Sequence, residues 1–172
     1  MHERIKGNDI LLRWDTHEQQ FNRLVEYMDR WASTHEEEVI IQTGFSTYKP
    51  KKATWSKLYP YKTMIDIVEN ARIVITHGGP SSFIMPLQIW EKIPIVVPRN
   101  HAFDEHVNNH QIDFCRKVEE QQGNIIVVEN VLKLDETINF YNDLSHHCRN
   151  EMSSNNQNFC AEFEKIVDEL VR

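Results

Sequence analysis

The sequence predicts an α/β fold, a Rossmann-like open parallel sheet with helices on both faces. Two observations carry this. Strand-length apolar runs alternate with helix-period segments along most of the chain, as in parallel strands joined by crossover helices. The clearest run, Arg72-Ile73-Val74-Ile75-Thr76, is apolar without alternation, as a strand covered on both faces requires. Size sets the scale. The 172 residues, 40% hydrophobic and 26% charged, suit one globular domain over 1–172.

The elements follow in order. Ile10-Leu11-Leu12 is a short strand. Thr16 to Thr34 reads as a helix, because Phe21, Leu24, Val25, Met28 and Trp31 recur at the spacing of one buried face. Val39-Ile40-Ile41-Gln42 is the next strand and ends at Gly44. Phe45 to Lys62 reads as a long irregular stretch, with Lys49, Lys51, Lys52, Lys57 and Lys62, no acid, and Tyr48, Trp55, Tyr59 and Tyr61 interleaved. Such a run is an exposed loop or a surface for anionic headgroups. Thr63 to Asn70 is a helix, Ser81 to Trp90 another, and Pro94 to Pro98 a strand bracketed by prolines. Val107 to Gln121 is helical, Ile125 to Glu129 a strand, and Val131 to Leu144 helical. Phe159 to Val171 closes the chain as a helix with Phe159, Phe163, Ile166, Val167 and Leu170 on one side, a core stripe or a partner-docking face.

Charge and targeting narrow the function classes. There are 26 acidic and 19 basic residues, a net −7, which argues against general nucleic-acid binding. Cys115, Cys148 and Cys160 form no CxxC pair, which suits a reducing cytoplasm. No stretch approaches the roughly 18 apolar residues that a membrane span needs, and no signal peptide is legible at the start. A cytoplasmic protein is expected, reaching a membrane only by recruitment.

Parallel sheets bind ligands beyond the carboxyl ends of their strands, so chemistry is sought there. Thr76-His77-Gly78-Gly79-Pro80-Ser81-Ser82 joins a strand to a helix. Two glycines allow close backbone approach, and the helix start offers N–H groups, serine hydroxyls and a positive dipole end. That is a diphosphate cradle, or a tight turn with a serine cap. The GxGxxG and GxxxxGK[ST] patterns are absent. The segment Arg99 to Gln111 also leaves a strand for a helix, and its Glu105, Asn109, His110 and Gln111 are types that bond sugar hydroxyls; equally, it is a polar loop. Asp15-Thr16-His17-Glu18 follows the first strand, where His17 is an acid, base or phosphate donor, or the segment is a helix cap. His101, His106 and His110 raise a metal-dependent hydrolase as a further reading.

Four segments in order, Thr16–Leu24, Ile41–Tyr48, Ile75–Phe83 and Pro94–Gln111, resemble bacterial capsule and exopolysaccharide glycosyltransferases of the EpsF/PssE type, which are Alg13-like and akin to the family 28 C-terminal domain. The resemblance implies the donor half of a GT-B enzyme that takes a UDP-sugar, galactose from UDP-galactose being usual, with no metal or other cofactor required. It implies an Alg14-like membrane-anchored subunit as partner and an undecaprenyl-diphosphate-linked glucose as acceptor, forming a β-1,4 bond at the inner face of the cell membrane. Carried onto this chain, Gly78, Gly79, Ser81 and Ser82 hold the diphosphate, and His110 and Gln111 meet the sugar. Thr16, Arg99 and Glu105 complete the donor-binding candidates. His17 and His77 are the candidate bases, unless the partner supplies one. Asp15 stands where the family has a glycine before Thr-His, and a carboxylate there repels a diphosphate. Met85 or Pro86 stands near where distant relatives carry a ribose-binding glutamate. A non-catalytic nucleotide-sugar-binding subunit is therefore the alternative.

Overall fold

The computed structural model describes residues 10–13, 19–90 and 92–148. The first loop, with Asp15, Thr16 and His17, and the segment Phe159 to Val171 with Cys160 lie outside the described residues. Six strands form one sheet: β1 (Ile10–Arg13), β2 (Val39–Gln42), β3 (Thr54–Ser56), β4 (Ile73–His77), β5 (Ile95–Val97) and β6 (Ile126–Val127). Their order is β3-β2-β1-β4-β5-β6 and every pairing is parallel. The chain winds outward from β1 to β3, then returns to β4 beside β1 and winds the other way. The crevice between β1 and β4 is the topological switch point.

The alternation of side chains along β1 explains the two layers. Ile10 and Leu12 join Ile73 and Ile75 under α1 (Asn22–Ala32); its Leu24, Val25 and Met28, with Phe21 at its N-cap, are fully buried in the larger core. Leu11, Ile40 and Val74 point the other way, onto Met64, Ile67 and Val68 of α2 (Tyr61–Asn70). α3 (Pro80–Trp90) and α4 (His110–Gln122) follow β4 and β5, and α5 (Leu134–Asn139) and α6 (Tyr141–His147) follow β6. Helices on both faces of a parallel sheet are what the apolar runs required.

Several boundaries differ from the sequence expectation. α1 begins at Asn22, with residues 19–21 outside it, and its start is closed by neighbours: Phe21 N–H donates to Ser46 Oγ (3.0 Å) and Asn22 N–H to Gln20 Oε1 (2.7 Å). The stretch Phe45 to Lys62 is not irregular throughout. It holds the edge strand β3, and α2 begins at Tyr61. The strand expected over Pro94 to Pro98 narrows to Ile95–Val97, since proline has no N–H for the ladder. α4 starts at His110 because residues 105–109 form bends after a turn at Asp104, which sits in the left-handed region at φ 54°. The helix expected over Val131 to Leu144 is a 3-10 turn (Val131–Lys133) and two short helices parted at Phe140.

Candidate functional site

At the switch point β4 ends in His77, and the chain turns through Gly78 and Gly79 into α3. His77 is buried. Its Nδ1 accepts the Gly79 N–H at 2.9 Å, so in the neutral ring the proton sits on Nε2, which donates to Ser82 Oγ at 2.8 Å. Ser82 N–H closes the turn onto the Gly79 carbonyl at 3.0 Å. Both nitrogens are thus held within the turn, and His77 shapes it. The candidate base His77 thus has both ring nitrogens engaged by the turn itself.

The glycines are required by space, not by an unusual backbone angle. A Cβ on Gly79 would lie 2.2 Å from Cε1 of His77. A Cβ on Gly78 would lie 2.8 Å from Sγ of Cys115 and 3.2 Å from Gln111. The turn is therefore packed flat between an imidazole and the first turns of α4. Burial, with the nearby Glu119 and Glu129 charges, pushes the Cys115 thiol up to about 12, so it stays protonated. Ser81 stands exposed at the amino end of α3, while Ser82 is buried against His77.

The loop after β5 is braced from inside. Glu105 is fully buried, and its two oxygens accept from Arg23 Nε and Nη2, each at 2.9 Å; Oε2 also accepts the Asn100 N–H at 3.0 Å. Arg23 extends the brace by donating to the Pro98 carbonyl (3.3 Å) and the Glu129 carbonyl (3.2 Å), and its guanidinium lies 4.8 Å from the Phe103 ring centre. Arg99 is also buried and donates to the carbonyls of Gln19 (2.9 Å) and Glu105 (3.3 Å). Gln111 Oε1 accepts the Arg99 N–H at 3.2 Å while its side chain flanks Gly78.

The sequence-predicted residues therefore divide. Gly78, Gly79, Ser81, Ser82 and Gln111 gather where β4 and β5 meet the starts of α3 and α4. Glu105 and Arg99 are committed to the protein, as braces instead of exposed sugar contacts. His110 is exposed at the first position of α4, its ring edge-on to His106 at 4.4 Å. His101 donates from Nδ1 to the His106 carbonyl at 3.0 Å, which turns it from a shared metal site. No three His, Cys, Asp or Glu side chains are grouped to hold a metal ion among the described residues, and the hydrolase reading loses its geometry.

Sequence reasoning missed Arg23 and Asp29. Asp29 is buried and accepts from the N–H groups of Lys51, Lys52 and Ala53 and from Tyr48 Oη, all within 3.0 Å. Burial alone would raise its carboxyl, but these bonds together hold it below the ordinary value. One signal was legible, an acid one residue after Met28 inside an apolar stripe. Arg23 gave none, since its partner is 82 residues away.

The sequence profile of the glycosyltransferase family 28 C-terminal domain matches residues 16–170. The chain belongs to that family. Among solved structures, the glycotransferase of kitacinnamycin is similar in fold, with a TM-score of 0.53 and 14% identity over 86% of this chain. The match spans 40% of that structure's chain, so the fold corresponds to half of a GT-B glycosyltransferase. A comparison with curated proteins finds no match. No helix among the described residues is long and apolar enough to cross a membrane.

Proposed function

We propose that this family 28 domain is the donor-binding part of a UDP-sugar-dependent glycosyltransferase. The observation that carries the reading is the position of the Gly78-Gly79 turn and the amino end of α3 at the β1/β4 switch point. The diphosphate lies against this turn, where the α3 dipole and the exposed Ser81 hydroxyl favour negative charge. The same groups stabilise UDP as it leaves, which assists transfer only to the extent that charge grows in the transition state. The sugar faces the β5–α4 loop, with His110 and Gln111 in reach of it and Glu105, Arg23 and Arg99 holding that loop in place. Galactose is the donor sugar, and a lipid-linked glucose the acceptor.

The acceptor hydroxyl must lose a proton. His77 is committed to the turn, so the base is His17 or a group of the partner. The partner is an Alg14-like membrane-anchored subunit that carries the acceptor half. The test is co-expression with that subunit and radiolabelled UDP-galactose plus a lipid-linked glucose. Label entering the lipid fraction supports the reading. UDP binding without any transfer favours the non-catalytic alternative, which Asp15 motivates. Asp15→Gly strengthens UDP binding when that carboxylate repels the diphosphate, and unchanged affinity removes the charge argument.

A further inference from the structure

We infer that the β2–β3 corner, from Phe45 to Lys62, is a docking surface for an anionic phospholipid bilayer. Charge is the first ground. The segment carries Lys49, Lys51, Lys52, Lys57 and Lys62 and no acid, which leaves −12 on the rest of a chain whose net charge is −7. No carboxylate pairs with any of these five ammonium groups among the described residues. A strongly asymmetric molecule of this kind is oriented by a negative surface, its basic corner inward and its acidic remainder outward.

The second ground is what stands among the lysines. Tyr61 is 71% exposed, Leu58 49%, and Phe45 and Trp55 40% each. Three of these lie together at the carboxyl corner. Gly44 N–H donates to the Lys57 carbonyl at 2.9 Å, the Lys57 ammonium lies 5.1 Å from the Phe45 ring centre, and Leu58 leads within four residues to Tyr61 and Lys62 at the start of α2. Trp55 sits on the edge strand, preceded by Lys49, Lys51 and Lys52. Aromatic rings with polar tips favour the headgroup boundary, and exposed Leu and Phe gain by entering it. Lysine suits a plane of headgroups, whereas bidentate recognition of a single phosphate calls for arginine, which this segment lacks.

The third ground is order. Asp29 fixes the backbone at Lys51, Lys52 and Ala53, and Asn22 Oδ1 fixes Thr47 and Tyr48. The lysines project from an anchored frame, so little backbone entropy is lost on docking. The inference rests on this surface alone and stands independently of the donor site.

The test is co-sedimentation of the whole chain with phosphatidylcholine vesicles, with and without phosphatidylglycerol. Binding to the anionic vesicles that weakens as salt rises, with little binding to the neutral ones, is the expected result. Lys57→Ala with Lys62→Ala lowers the partition coefficient about fivefold per lysine. Leu58→Ala weakens it further. Lys117→Ala with Lys133→Ala, an equal charge change at exposed positions elsewhere, leaves it within about twofold of the parent. Circular dichroism checks that each variant is folded. The inference is overturned by equal binding to neutral vesicles, by equal losses in the two lysine pairs, or by no vesicle binding at all. Preference for single-stranded oligonucleotide over anionic vesicles in competition also overturns it.

Discussion

Two loop regions on opposite sides of the β1/β4 switch point use polar residues in opposite ways. The β5–α4 loop turns its charges inward: Glu105 and Arg99 are buried, and Arg23 reaches across from α1 to close the brace. The β2–β3 corner turns its charges outward, with Asp29 alone buried beneath to hold the backbone while five lysines face water. A buried, hydrogen-bonded network fixes geometry, which the proposed sugar-facing wall needs. An exposed set of like charges keeps its electrostatic reach, which a landing surface needs. The sequence alone suggests that both segments are polar loops. The partner of each charge decides which role it has.

The sharpest way to break the contrast is to unpair the brace. Glu105→Ala leaves the Arg23 guanidinium unpaired in a largely buried site and costs about 3–5 kcal/mol, read by urea unfolding. Adding Arg23→Ala should cost less than the sum of the single changes, because the pair acts as one unit. Equal, additive and small costs would mean the brace is ornamental.

Next comes the outward region. Asp29→Ala orphans three N–H groups and the Tyr48 hydroxyl and costs about 1–3 kcal/mol. Loss of amide-exchange protection should be confined to residues 48–53. The pH dependence has a definite sign. The Asp29 carboxyl is held low in the fold, so its stabilisation is present above the ordinary unfolded value of about 4 and is lost as pH falls through the lower folded value. Asp29→Asn should remove that acid-sensitive part, and an unchanged acid limb contradicts the assignment.

Gly79→Ala drives a methyl into the His77 ring and costs about 1–3 kcal/mol by overpacking. In a His77→Ala background the same change should cost much less, because its obstacle is gone. The smallest effect is expected at Arg116, whose pair with Glu129 is exposed and screened by salt, so Arg116→Ala should leave the urea midpoint close to that of the parent.

The fold was legible where apolar runs are long. Arg72–Thr76 and the α1 stripe led directly to β4 and α1, because burial on a fixed period leaves its mark in sequence. β3 was not legible. It is a three-residue edge strand with Trp55 exposed, so no apolar run announces it. The glycine turn was found by its residue types, yet the reason for each glycine lay in neighbours: an imidazole for Gly79 and α4 for Gly78. Glu105 and Arg99 read as ligand contacts because only three-dimensional packing brings them to Arg23, Gln19 and each other.

The central claim is that the turn at the β1/β4 switch point holds the diphosphate of a nucleotide sugar. Calorimetric titration with UDP and with uridine, on the parent and on Ser81→Ala, tests it most directly. The account predicts that UDP binds, that uridine binds at least about tenfold more weakly, a difference of about 1.4 kcal/mol, and that Ser81→Ala narrows the gap. Equal affinity for UDP and uridine, or no UDP binding at all, would contradict it.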